Sequence, residues 1–258
     1  MKKIILLLAL TLLISASLFS QLAKDENPAA LGFNARESDA RAMQIADEVM
    51  RALGGRQNWD NTRYISWNFF GRRRLVWDKW QGDVRIEADS TVYLVNIAGN
   101  TGKVKKGSEV ITNPDSLKKY VERGISIWIN DSYWLVMPFK LKDSGVTLKY
   151  MGEQNTNDGK PADVLQLTFQ NVGRTPDNKY LVYVDKSSRL ITQWQYFEKY
   201  TDDQPQFTNP WSNYQKMGNI MLSDERGRGK HTDVRVYPSL PESVFTSFEK
   251  VDYSNLKP

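Results

Sequence analysis

Acid–base and metal chemistry would hang on very few side chains. His231 is the only histidine in the 258 residues, and cysteine is absent. A multi-histidine or thiolate metal centre is thereby excluded, and any hydrolytic triad would have to run through His231. That histidine opens an expected strand between Lys230 and Thr232 and reads as a strand-end or surface residue. Two carboxylates alone can hydrolyse a glycoside, but Asp131, Asp143, Glu153, Asp163 and Asp185 are scattered, several of them at turns. Acidic residues there ordinarily serve the turn itself. No Gly-x-Ser-x-Gly, Walker loop or Gly-x-Gly-x-x-Gly stands in the chain. The expectation is a noncatalytic protein with no cofactor and no metal.

Binding chemistry is better represented. Arg72, Arg73 and Arg74 follow Gly71 between two expected strands and form a candidate site for an anionic headgroup. The alternative is a solvated hairpin with one arginine paired across the strand. Aromatic residues make up 12% of the chain, and many fall on expected strands or an apolar helical insert rather than on loops. Trp67, Phe69, Trp77, Trp128, Tyr133, Trp134, Trp194 and Tyr196 are the candidates to line a ligand cavity. Large rings at such positions build a core or line a concave apolar site, the usual form of a pocket for a hydrophobic small molecule or lipid.

The elements that must position these residues follow from patterning. Lys2 and Lys3, an apolar run from Ile4 to Leu13, and the small residues Ser15, Ser17 and Ser20 have the plan of a secretory signal peptide, expected over residues 1–20. The run is too short to span a bilayer, so cleavage leaves no membrane anchor and places the chain in the periplasm or outside the cell. Removing Lys2 and Lys3 lowers the formal charge from +5 to about +3 (5 − 2), too mild to argue for nucleic acid. Residues 21–37 read as a flexible leader, and 38–258 as one domain.

Within that domain, Ala42, Ile45, Ala46, Val49, Met50 and Leu53 recur at helical spacing, with Ser38 as cap and Gly54-Gly55 as stop. Strands are expected at residues 63–70, 73–80, 83–88, 91–97, 146–151, 163–169, 179–185, 190–197 and 231–237, joined by connections short enough to favour antiparallel pairing. Val84, Ile86 and Ala88 alternate with Asp83, Arg85 and Glu87, which predicts a sheet with one wet face. Asn113-Pro114 starts a short helix that Gly124 ends, and Asn130 or Asp131 caps a second that Pro138 stops. The fold class is mainly β (α+β): a curved antiparallel sheet with an N-terminal helix and a short helical insert on its concave side.

Two segments carry a resemblance. Tyr183-Val-Asp-Lys-Ser-Ser-Arg-Leu-Ile-Thr-Gln-Trp194 resembles a hairpin of the periplasmic lipoprotein carrier and outer-membrane receptor fold, the LolA/LolB type. Asp131-Ser-Tyr-Trp-Leu-Val-Met-Pro-Phe-Lys-Leu141, followed by Asp143-Ser-Gly-Val146, is similar to DUF6503, a family of exported proteins of unknown function from Gram-negative bacteria. The resemblance implies that the curved sheet forms a half-open barrel that holds a lipid or the acyl chains of a lipoprotein. It transfers no individual functional residue. The competing expectation is a protein-interaction module of the cell envelope that docks through exposed sheet edges or through Pro210-Trp211-Ser212-Asn213-Tyr214.

Overall fold

The computed structural model describes residues 26–170 and 177–257, so the expected signal peptide and the first residues of the leader, 21–25, lie outside the described residues. Helix α1 spans Ala40–Ala52 and buries Ala42, Ile45, Ala46, Val49 and Met50, the stripe its spacing predicts. A short helix, α2, follows at Arg56–Asn61. Six strands then run as a meander: β1 (Tyr64–Phe69), β2 (Arg73–Asp78), β3 (Asp83–Ala88), β4 (Thr91–Asn96), β5 (Thr101–Lys106) and β6 (Glu109–Val110). Helix α3 (Pro114–Val136) comes next and ends in a 3₁₀ turn at Met137–Lys140. A second group of strands comprises β7 (Val146–Asn155), β8 (Pro161–Phe169), β9 (Lys179–Asp185), β10 (Ile191–Phe197) and β11 (Phe207–Pro210). The chain finishes with β12 (Ser212–Met217), β13 (Ile220–Arg226), β14 (Gly229–Lys230), β15 (Thr232–Tyr237) and the one-turn helix α4 (Ser243–Thr246).

These strands form three open sheets, ordered β15-β1-β2-β3-β4-β5-β6, β11-β10-β9-β8-β7 and β12-β13-β14. Every pairing is antiparallel, as short connections require. The architecture is mainly β with a few helices, and among the described residues no sheet closes on itself. Side chains from both large sheets join α1 and α3 in one hydrophobic core that includes Ile45, Trp67, Ile86, Leu135, Leu165 and Trp194.

Four expectations need correction. The insert is one helix of 23 residues, not two short ones. It starts at Asn113-Pro114 as expected, the Asn113 side chain accepting the Ser116 N–H at 3.0 Å, but Gly124 does not end it. That glycine lies where a Cβ would come within 3.1 Å of the Tyr93 ring and 3.2 Å of Val95, so it permits close helix–sheet approach. Asp131 therefore lies inside the helix and caps nothing. Next, Ser38 does not cap α1: Asp39 is the N-cap residue, and the Ser38 hydroxyl accepts the Leu148 N–H at 3.0 Å.

Then, the outer face of the first sheet is not wholly wet. Arg85 is buried beneath the C-terminal segment, its guanidinium donating to the carbonyls of Val244 (3.3 Å), Ser247 (2.7 Å) and Glu249 (2.9 Å). Finally, the described part of the leader is fastened to the domain. The Asn27 side chain donates to Asp47 at 2.7 Å, Ala30 N–H to Lys142 O at 2.9 Å, and Asn34 N–H to Val146 O at 3.1 Å.

Candidate functional site

Helix α3 has two working faces. One packs on the first sheet through Gly124, the edge-on contact of Trp128 with Trp77 (5.2 Å between centroids) and the Asp131–Arg73 ion pair. The other carries Ser126, Ile129, Asn130 and Tyr133 at three-and-four spacing, and all four line a cavity of about 580 Å³. Trp128 and Trp134 border it from the helix. Val146 at the head of β7, Phe169 at the end of β8 and Tyr180 near the start of β9 form the wall on the second sheet. The volume falls within the roughly 300–1,000 Å³ typical of small-molecule sites. A second concavity, beside Asn27 and Phe139, holds only about 10 Å³, hardly one water.

The wall on the sheet grows out of strand register. Leu148, Leu167, Tyr180, Tyr196 and Phe207 pair in sequence across all five strands, and residues opposite one another share a face. Tyr180 lies parallel to Trp194 at 5.3 Å and meets Tyr133 at 5.4 Å and Phe169 edge-on at 5.7 Å. Of the eight aromatic candidates, Trp128, Tyr133 and Trp134 reach the cavity. Trp67, Phe69, Trp77 and Trp194 are 0–7% exposed and do not line it: they are core. Tyr196 lies outside the lining, stacked on Phe207 at 5.1 Å. Sequence reasoning missed Phe169 and Tyr180. Their alternation with Leu167 and Val182 along β8 and β9 was the available signal.

Polar groups in the cavity are few. The charged residues among its described lining are Lys140 and Asp143, which form an ion pair with each other. The side-chain amide of Asn130 is committed to Asp131 at 2.9 Å and that of Asn178 to Glu198 O at 2.6 Å. Ser126 donates to Glu122 O at 2.7 Å. Among the described residues, the hydroxyls of Tyr133 and Tyr180 find no hydrogen-bond partner. Burial pushes both phenols far above the ordinary tyrosine range, so both stay protonated.

The three arginines do not converge on a headgroup site. Arg73 is tied to buried Asp131, and Arg74 to Asp233 at 2.6 Å with its guanidinium over the Tyr253 ring. Arg72 is exposed on the turn. Two of the three are thus engaged, one more than the hairpin reading supposes.

His231 is fully buried, contrary to the strand-end expectation. Its Nε2 lies 3.1 Å from the carbonyl of Trp134, and its ring stacks on Phe70 at 4.8 Å. A carbonyl can only accept, so Nε2 carries the proton. The same carbonyl accepts from Arg226 Nε at 3.0 Å and Nη2 at 2.7 Å. Trp134 lies in the last turn of α3, where carbonyls lack helical partners and the helix dipole favours cations. Burial, with Arg226 nearby, lowers the imidazole pKa to about 3; burial also lowers Arg226 to about 9. Arg226 further covers Trp211, its guanidinium 3.4 Å from the ring centroid, and Tyr214 donates to Ile191 O at 2.9 Å. With Trp211 fully buried, the stretch 210–214 presents no aromatic docking surface.

The scattered acids likewise find structural work. Asp163 is buried and accepts from Tyr150 (2.9 Å), Arg189 (2.7 Å) and Lys186 (3.3 Å). Burial alone would raise its pKa, but these bonds outweigh burial and hold it low. Glu153 pairs with Lys186. Asp185 organises its turn through Ser187 and Ser188, which overcome partial burial and lower it to about 2. Among the described residues, no group of three or more His, Asp or Glu side chains could hold a metal ion.

No protein-family model matches the chain, and no curated protein matches it. Solved structures similar to it include a DUF1329 family protein from Desulfovibrio piger, 16% identical with a TM-score of 0.44 over 84% of this chain and 99% of that one. A LolA superfamily protein from Nitrosomonas europaea is 11% identical, with a TM-score of 0.35 over 80% and 97% of the two chains. MucB in complex with MucA(peri) is 11% identical, with a TM-score of 0.24 over 70% and 61%. Among the described residues, no helix is long and apolar enough to cross a membrane.

Proposed function

We propose that this protein is an exported, noncatalytic carrier of the LolA-like and DUF6503 type. It would take up a hydrophobic ligand, a lipid or the acyl groups of a lipoprotein, between α3 and the second sheet. The observation that carries this reading is the cavity of about 580 Å³ walled by Trp128, Ile129, Tyr133, Trp134, Phe169 and Tyr180. Hydrocarbon entering such a space gains roughly 0.8 kcal/mol per methylene removed from water. The signal-peptide plan of residues 1–20 supports export, and the commitment of most lining polar groups to the protein itself leaves the walls effectively apolar.

The test is native mass spectrometry, with lipid extraction, on mature protein purified gently from the periplasm. A stoichiometric bound mass that yields acyl species supports the carrier. A clean protein mass, with no uptake of a fluorescent lipid, rejects it.

A further inference from the structure

Building on that reading, we propose that the cavity selects uncharged lipids, whose ester, amide or hydroxyl oxygen accepts hydrogen bonds from the paired phenols of Tyr133 and Tyr180, and that it discriminates against free fatty acids. Two independent features of the lining lead here. The first is charge balance. Lys140 and Asp143 neutralise one another, so among the described lining residues no cation is left over for a ligand carboxylate. Bringing an ionised carboxylate into an apolar space without a dedicated partner is strongly unfavourable. Taking Lys140 from Asp143 would only move the unpaired charge to Asp143.

The second feature is the inventory of uncommitted donors. Tyr133 from α3 and Tyr180 from β9 approach to 5.4 Å between ring centroids across the helix–sheet gap, and among the described residues neither hydroxyl has a hydrogen-bond partner. Their rings are held by Phe169, at 6.4 Å from Tyr133 and 5.7 Å from Tyr180, and Tyr180 is backed further by Trp194. Two positioned, permanently protonated phenols form a neutral donor pair that matches the acceptor oxygens of an ester or amide. A pure hydrocarbon would fill the same space but leave both hydroxyls without partners, which disfavours it relative to an acceptor-bearing lipid.

The experiment ranks four probes on the full mature chain at pH 8 by displacement of a fluorescent lipid: monoolein, methyl oleate, oleate and hexadecane. Monoolein and methyl oleate are expected to bind about tenfold or more tightly than oleate. The double variant Tyr133→Phe, Tyr180→Phe keeps the rings and removes the donors; it should weaken the two esters about tenfold, a change of about 1.4 kcal/mol, while hexadecane, no longer leaving hydroxyls without partners, binds at least as tightly as before. Oleate binding as tightly as the esters overturns the proposal while leaving the carrier reading intact. So does a double variant with unchanged ester affinity. If no probe displaces or binds at all, the carrier reading itself falls, and this inference with it. The ranking on the unsubstituted protein stands whether or not the variant folds.

Discussion

The Asp131 carboxylate receives the Arg73 guanidinium through two parallel hydrogen bonds, Nε to Oδ2 at 2.8 Å and Nη2 to Oδ1 at 2.9 Å, and Asp131 is fully buried. The pair joins the C-terminal third of α3 to the start of β2, directly behind the helix face that lines the cavity. Removing one partner leaves the other charge uncompensated, which for buried pairs costs about 3–5 kcal/mol. Arg73 retains some solvent contact, so Asp131→Ala is expected at the lower end, about 3 kcal/mol by urea denaturation. Arg73→Met combined with Asp131→Leu should cost clearly less than either single change. Additive losses would mean that the two residues act separately.

His231 makes a second prediction, with a definite sign. Its folded pKa is lowered from 6.5 to about 3, so between those values the unfolded chain binds the extra proton. Stability from this group is complete above pH 6.5 and is lost as pH falls toward 3, at up to about 1.4 kcal/mol per pH unit. The melting temperature should decline between pH 6.5 and 4, before most carboxylates titrate. His231→Gln, which can still donate to the Trp134 carbonyl, should flatten that decline. As the only histidine, its imidazole can be followed directly by NMR. A midpoint near 6.5 in the folded protein would contradict the buried placement.

The contrast between His231 and α1 shows what patterning can reach. The stripe from Ala42 to Met50 and the nine expected strands correspond to α1, β1–β4, β7–β10 and β15, because apolar periodicity marks elements with one buried face. Strands β5, β6 and β11–β14 escaped notice; among them β5 and β12, Thr-Gly-Lys-Val-Lys-Lys and Ser-Asn-Tyr-Gln-Lys-Met, carry few apolar residues to alternate. For the site, the aromatic insert pointed to Trp128, Tyr133 and Trp134. Nothing local told these from Trp67 or Trp194, since cavity and core draw on the same residue types. That distinction depends on where α3 stands off the second sheet, which is set by tertiary contacts. His231 and Arg226 were opaque for the same reason: their partner is a backbone carbonyl about 90 residues away in sequence.

Edge protection of β7 gives a third prediction. Asn34 and Asp39 donate their N–H groups to the carbonyls of Val146 and Leu148, at 3.1 and 2.9 Å. In return, Ser38 Oγ accepts from Leu148 N–H and the Asp39 carboxylate from Tyr150 N–H, at 3.0 and 2.9 Å. Alternate residues of an otherwise open edge are thus satisfied, and open edges template aggregation. Ser38→Ala with Asp39→Ala should speed hydrogen exchange at the Leu148 and Tyr150 amides selectively and raise the aggregation rate. Unchanged exchange at those two amides would mean that the segment preceding α1 does not guard the edge.

Gly124 supplies the last. Glycine inside a helix ordinarily costs about 1 kcal/mol relative to alanine, so a mid-helix glycine needs a compensating contact. Here the contact is with Tyr93 and Val95, which a Cβ would approach to 3.1 and 3.2 Å. In Gly124→Ala the gain in helix propensity and the crowding of two buried side chains oppose one another, and the net change should stay within about 1 kcal/mol. Gly124→Leu has no such balance: the added volume must push α3 off the first sheet, at about 3 kcal/mol. The displacement would run toward the second sheet and so narrow the cavity. A urea series on the two variants, paired with lipid displacement, separates the effects. If Gly124→Leu keeps wild-type stability, the close approach at Gly124 does not set the position of α3.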